Sequence, residues 1–171
     1  MNKTFLLATA AMLAISFSTM AQYVDRTSFK AGLNAGLPVG DAGDASSFSL
    51  GLDLAYHIGA SELLDVGFAT GFIHAFGDTT SLSGGAVTVE YEDFQFLPVA
   101  GSLRIYPTYD FKLGADVGYA VGFNELNEGG FYLRPIIGYN ITGNTELNVS
   151  YVNISNDWSF SIATLGILFL F

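Results

Sequence analysis

The chain has no cysteine and only six lysines and arginines, four prolines, two histidines and one tryptophan among its 171 residues. Without cysteine, neither a disulfide framework nor a lipid anchor on a cysteine is possible. Charged residues make up 13% of the chain, against about 25% in an ordinary soluble domain. Hydrophobic residues reach 50% and mean hydropathy is +0.41, so part of the surface must face something other than water. Long apolar runs are missing as well. A spanning helix needs about 18 or more consecutive apolar residues, and the best candidate, 5–17, is too short and follows directly on Lys3.

That N-terminal stretch has the pattern of a secretory signal: Lys3, an apolar stretch, then Thr19-Met20-Ala21 before Gln22. The expected division is a signal peptide over 1–21 and one domain over 22–171, a length that suits a single domain. An exported, membrane-compatible chain without spanning helices has one main structural solution. Lipid offers no hydrogen bonds to the backbone, so strands must close into a barrel that pairs every peptide group.

The period of the apolar residues agrees. Side chains alternate faces along a strand, and eight segments show strand length and alternation: 28–37, 48–58, 64–76, 94–106, 111–123, 131–140, 145–154 and 158–171. In the first, Phe29, Ala31, Leu33, Ala35 and Leu37 oppose Lys30, Gly32, Asn34 and Gly36. The second and fifth segments repeat the split. Across these three, all 18 positions of one face are apolar, and none of the 15 opposite is larger than alanine unless it is polar. A soluble barrel would clothe its outside in long charged side chains. Here the second face is too small and too weakly charged for that, yet it suits the cramped interior of eight strands. The predicted fold is all-β: an eight-stranded, antiparallel, up-and-down transmembrane β-barrel, apolar outside and small or polar inside.

Connections alternate between short turns (59–63, 107–110, 141–144), expected on the periplasmic side, and others (38–47, 77–93, 124–130, 155–157), expected outside the cell. The first group carries the Pro, Gly, Asn and Asp of turns. The stretch 77–93 contains its own alternating run from Ala86 to Tyr91, which predicts a hairpin prolonging the third and fourth strands. Tyr56, Phe76, Phe94, Tyr106, Phe111, Phe123, Phe131, Tyr139 and Trp158 lie near strand ends, where interfacial aromatic girdles form. Pro98 and Pro135 each remove a ladder donor, which predicts local bulges. In the last segment Phe160 and Ile162 share one parity while Leu165, Ile167, Phe169 and Phe171 share the other. A bulge near Ala163-Thr164 would bring both sets to the outside.

Without Lys3, five basic residues remain against sixteen acidic ones. The alternation sends Lys30, Arg104, Lys112 and Arg134 inward together with Asp53, Asp65, Asp116 and Glu146. Isolated charges are costly in a narrow lumen and paired ones tolerable. The expected arrangement is a plug of paired charges with His57 as a member, Asp65 facing Arg104 and Asp116 near Arg134. A proton or ion path through the same residues is the rival reading. Loop residues Asp41, Asp44, Asp78, Glu90, Glu92, Asp93, Glu125, Glu128 and Asp157 have no basic residue among them. Such loops are solvated by default. Glu90, Glu92 and Asp93 could together bind a divalent ion, since hard cations take several carboxylate oxygens.

Catalysis and cofactors have little support. His74 faces outward near the top of the third segment, but FIHAF has no serine beside it, and no phosphate loop, zinc spacing or nucleophile elbow is present. An acidic chain is also a poor nucleic-acid binder. The expectation is a monomer that is not an enzyme and carries no metal or cofactor.

The AQ junction, KAGLNAGLPVG, FLPVAGSLRIYP, YLRPIIGYN and a terminal Phe resemble the small outer-membrane β-barrel proteins of Bacteroidetes, the porin-family or OmpA-like transmembrane domains. The resemblance covers the whole mature chain. It implies the outer membrane of a Gram-negative envelope, reached through the periplasm, with lipid and lipopolysaccharide as surroundings. It also implies that Phe171, with Phe169, Ile167 and Leu165, forms the tag read by the barrel assembly machinery. No cell-wall tether of the kind carried by full-length OmpA is expected. The family has no single shared function. The role expected first is structural or interactive, with a partner reached through 77–93; a narrow channel comes second and an outer-leaflet lipid enzyme using His74 third.

Overall fold

The computed structural model describes residues 28–82, 87–123 and 128–171; the signal-peptide reading of 1–21 lies outside them. The strands are β1 (Ser28–Val39), β2 (Ser46–Ser61), β3 (Leu64–Gly77), β4 (Thr79–Leu82), β5 (Val87–Glu90), β6 (Phe94–Ile105), β7 (Phe111–Gly122), β8 (Gly130–Thr142), β9 (Thr145–Ser155) and β10 (Ser159–Leu170). Eight of them form a closed barrel in the order β1-β10-β9-β8-β7-β6-β3-β2. Every neighbouring pair is antiparallel. This is the predicted up-and-down barrel, and its strand ends fall within a few residues of those read from alternation.

The remaining strands, β4 and β5, pair as a separate hairpin from Thr79↔Glu90 to Leu82↔Val87. The Tyr91 amide donates to the Asp78 carbonyl at 3.0 Å, so the hairpin prolongs β3 and β6 as the alternation in 77–93 predicts. One element was not expected. The connection 38–47 holds a helical turn, α1 (Asp41–Ala45), entered through Gly40 at φ 64°. A side chain at that φ is strained, which suits glycine. Ala42 and Ala45 are buried while Asp41 and Asp44 point outward. α1 rests on β1, β2 and β10 at the end of the barrel that bears the longer connections.

None of the three expected bulges is present. On either side of Pro98, Thr70 faces Val99 and Ile73 faces Phe96 without a shift. The Pro98 carbonyl instead accepts the Thr70 hydroxyl at 2.8 Å, so the proline omits a ladder bond and leaves the register intact. Leu133↔Asn153 and Ile136↔Ser150 keep one register around the outward Pro135 in the same way. Around Ala163-Thr164, β10 runs continuously against both β1 and β9. Phe160 and Ile162 are 1% and 0% exposed: they point inward because the barrel has an apolar interior at that level. The register shifts that do occur lie at strand ends, near Ser46/Phe48, Gly59/Ser61 and Asn140/Thr142.

Most of the predicted girdle aromatics face outward, with two corrections. Tyr106 is buried and covers Lys112, whose Nζ lies 5.5 Å from the ring centroid. Phe94 packs on Phe160, Phe96's neighbour, with centroids 5.0 Å apart. Both share the inward parity of Arg104, which their position near a strand end concealed.

Closure extends to the last residue. The Phe171 amide donates to the Phe29 carbonyl at 2.9 Å, the two rings lie 6.2 Å apart, and Phe171 is 77% exposed on the outer face. Leu170 lies on the inward parity opposite Lys30. Phe171→Asp is therefore expected to lower the yield of folded barrel more than Leu170→Asp. The first loses the ring contact at the seam and puts a charge toward lipid; the second places a carboxylate beside a lysine. Heat-modifiable mobility on gels measures the yields, and equal yields would contradict the face assignment.

Candidate functional site in the barrel interior

Lys30, His57, Asp65, Arg104, Lys112, Asp116, Arg134 and Glu146 are all buried on the lumen side, and Asp53 is largely so. Alternation places them there; side-chain reach decides their partners. Arg104 lies opposite Asp65 on β3, as the hairpin register predicts, and opposite Gly114 on β7. Its guanidinium turns to β7, with Nη1 2.7 Å and Nη2 3.3 Å from the two Asp116 oxygens. Gly114 allows this, since a Cβ there would stand 2.5 Å from Arg104 Cδ.

Asp116 also accepts the Ser102 hydroxyl at 2.6 Å, and His57 Nε2 lies 2.8 Å from the same Ser102 oxygen. Because the serine proton goes to the carboxylate, His57 Nε2–H is the donor to serine. A hydrolytic triad needs histidine between serine and acid; here serine stands between them, and the group is buried.

Arg134 lies opposite Asp116 in register, but Asp116 is occupied. Arg134 crosses the lumen to Asp53 with bonds of 2.6 and 2.9 Å. β2 and β8 are four places apart by either route round the ring, so this ion pair lies along a diameter. Asn34 Nδ2 donates to Asp53 at 2.9 Å, and Arg134 Nε donates to Ser150, which in turn lies 2.5 Å from the Thr164 hydroxyl. Five strands are thereby tied at one level.

Nearer the short turns, Lys112 on β7 binds Glu146 on β9 at 2.6 Å. The bridge passes over β8 at Gly138, where a Cβ would meet Glu146 Oε1 at 2.5 Å and Lys112 Cγ at 2.9 Å. Lys30 sits among Lys112, Glu146, Arg104 and Asp65. The internal cavity between Asp53, Arg104, Asp116, Arg134 and Glu146 has a volume of about 30 Å³. That holds two or three water molecules, each needing roughly 10–15 Å³.

Toward the longer connections the interior changes character. Ile73, Phe96, Val152, Ile154, Phe160 and Ile162 form one buried apolar cluster with Tyr132, several alanines and Ala42 of α1. The expectation of a small or polar interior fails here. A usable signal was present: the inward parity itself turns apolar toward the longer connections, with Ile73 and Ala75 on β3, Phe94 and Phe96 on β6, and Val152 and Ile154 on β9.

Outside the barrel, His74 Nε2 lies 3.3 Å from Asp93 and its ring meets Phe76 edge-on at 4.4 Å. Asp93 also accepts the Gly77 amide at 2.9 Å, so its carboxylate braces the base of the hairpin. Among the described residues no three His, Cys, Asp or Glu side chains gather into a metal-ligand group. The Glu90 side chain of the expected cation cluster lies outside the described residues.

No family model matches the chain, and no curated protein is similar to it in sequence. Solved structures share its fold. A de novo designed transmembrane β-barrel is similar at 14% identity and TM-score 0.53, over 89% of this chain and 100% of that one. Ail, the attachment invasion locus protein of Yersinia pestis, is similar at 15% and 0.53, over 87% and 100%; it is also known in complex with the heparin analogue sucrose octasulfate. Neisserial surface protein A is similar at 15% and 0.51, over 88% and 100%. At such identities the likeness is one of fold.

Proposed function

We propose that the chain is an integral outer-membrane barrel with a closed lumen, acting in membrane integrity or in surface contact through its longer connections, and not as an enzyme. The observation that carries this is that side chains meet across the lumen along a diameter, Arg134 with Asp53 and Phe96 with Phe160, beside a cavity of about 30 Å³. Such a lumen has no room for a solute path.

The short turns face the periplasm, as does the seam residue Phe171, which the assembly machinery reads together with Phe169, Ile167 and Leu165. Lipid and lipopolysaccharide surround the wall, the barrel is monomeric, and 77–93 reaches outward to any partner. Ail has been seen with a polyanion, but that chemistry does not suit this chain. Asp41, Asp44, Asp78, Glu92, Asp93 and Asp157 stand at the same end of the barrel, and like charges repel.

The reading is tested by fractionation and by planar-bilayer recording. The protein is expected with the outer membrane after a carbonate wash, to run faster unheated than boiled, and to give no steady conductance. Release by the wash would refute the membrane assignment. A large, steady open state would favour the channel reading.

A further inference from the structure

Two kinds of barrier are stacked along the lumen, and they are not equivalent. The ion-pair level is polar and encloses a small cavity, whereas the level toward the longer connections is lined by apolar side chains. Phe96 stands on β6 and Phe160 on β10, again four places apart by either route round the ring. Their ring centroids are 5.3 Å apart, so two aromatic side chains meet across a diameter. Phe94 lies 5.0 Å from Phe160. Trp158 contacts both at 5.7 and 5.6 Å. Ile162 of β10, Ile73 of β3, Ile154 and Val152 of β9, Ala120 of β7 and Tyr132 of β8 join the same cluster, and Ala42 packs against it from α1.

We infer that this aromatic-aliphatic layer is the permeability seal of the barrel, and that the ion pairs below it fix its shape and stability instead. The inference rests on the closed lumen proposed above. An ion entering the polar level finds replacements for its hydration in Asp53, Arg134 and Asn34. One entering the apolar level finds none, and stripping an ion of water without compensation is prohibitive. Narrow apolar constrictions also exclude water itself. The cross-lumen pair is therefore dispensable for closure, and the Phe96–Phe160 contact is not.

The test compares three proteins in planar bilayers and in liposome-swelling assays: wild type, Phe96→Ala/Phe160→Ala, and Asp53→Asn/Arg134→Gln. The apolar double variant is expected to raise ion flux at least about tenfold, because an apolar constriction gates by dewetting, while the uncharged pair stays at the wild-type level. Trp158, the only tryptophan of the chain, gives a second readout: acrylamide quenching rises in the apolar variant and not in the other. If the alanine pair yields no heat-modifiable barrel, Ile162→Ser places a hydroxyl in the same layer at lower volume cost, with the same leak expected. A silent wild type with a leaking Asp53→Asn/Arg134→Gln protein and tight apolar variants would overturn the inference and leave the closed lumen standing. A wild type that conducts steadily would overturn the closed lumen itself.

Discussion

Arg134→Ala is expected to be the most destabilising single change among the paired lumen charges. It leaves the Asp53 carboxylate with Asn34 as its remaining bonded partner and removes the donor to Ser150. Breaking a buried ion pair on one side costs about 3–5 kcal/mol, and water in the adjoining cavity reduces that figure here. Adding Asp53→Ala removes the stranded charge and is expected to restore part of the loss. The coupling read from the double-mutant cycle is expected at about 0.5–3 kcal/mol, the range for residues in contact. Urea unfolding in lipid vesicles, followed by Trp158 fluorescence, measures each term. Additive effects would mean that the two side chains do not meet across the lumen.

Gly118→Val is expected to abolish barrel formation, while Gly101→Val is accepted. The two glycines lie on adjacent strands, with Gly118 opposite Ala100 and Gly101 opposite Val117. Gly118 faces the interior, where a Cβ would collide with the Val99 carbonyl oxygen and stand 2.6 Å from Ala100 Cα. Backbone atoms cannot swing aside as a side-chain tip can, so the β6–β7 pair, curved as part of a closed barrel, would have to flatten. Overpacking typically costs about 1–3 kcal/mol where side chains can adjust, and here they cannot. Gly101 faces outward, and its Cβ would meet only the Val117 carbonyl oxygen at 3.8 Å. Valine there adds apolar surface toward lipid. Refolding yields on gels, heated and unheated, separate the two. Comparable yields would show that inward glycine is not needed for the curvature.

Both predictions depend on which face a residue occupies, and that much was legible from the order of residues. Leu33, Leu52 and Val117 read as outward and are outward; Asn34, Asp53 and Asp116 read as inward and are inward. The errors came where an apolar residue was assumed to face lipid. Phe160 and Ile162 suggested a bulge, and Phe94 suggested a girdle, because the alternation carries no information on whether an inward position lies in a polar or an apolar level.

The sequence by itself determined the alternation, the strand ends, the inward set of charges and the closing strand ending at Phe171. Each is a local property: a strand turns successive side chains to opposite faces, and turn residues mark where it stops. Only the tertiary structure decided the partners. Asp53 and Arg134 are 81 residues apart in the chain, and so are brought together by ring closure, which sets β2 opposite β8. The same closure sets Phe96 opposite Phe160. Which residues meet across a lumen depends on strand order and stagger around the whole ring, and no short stretch of sequence encodes either.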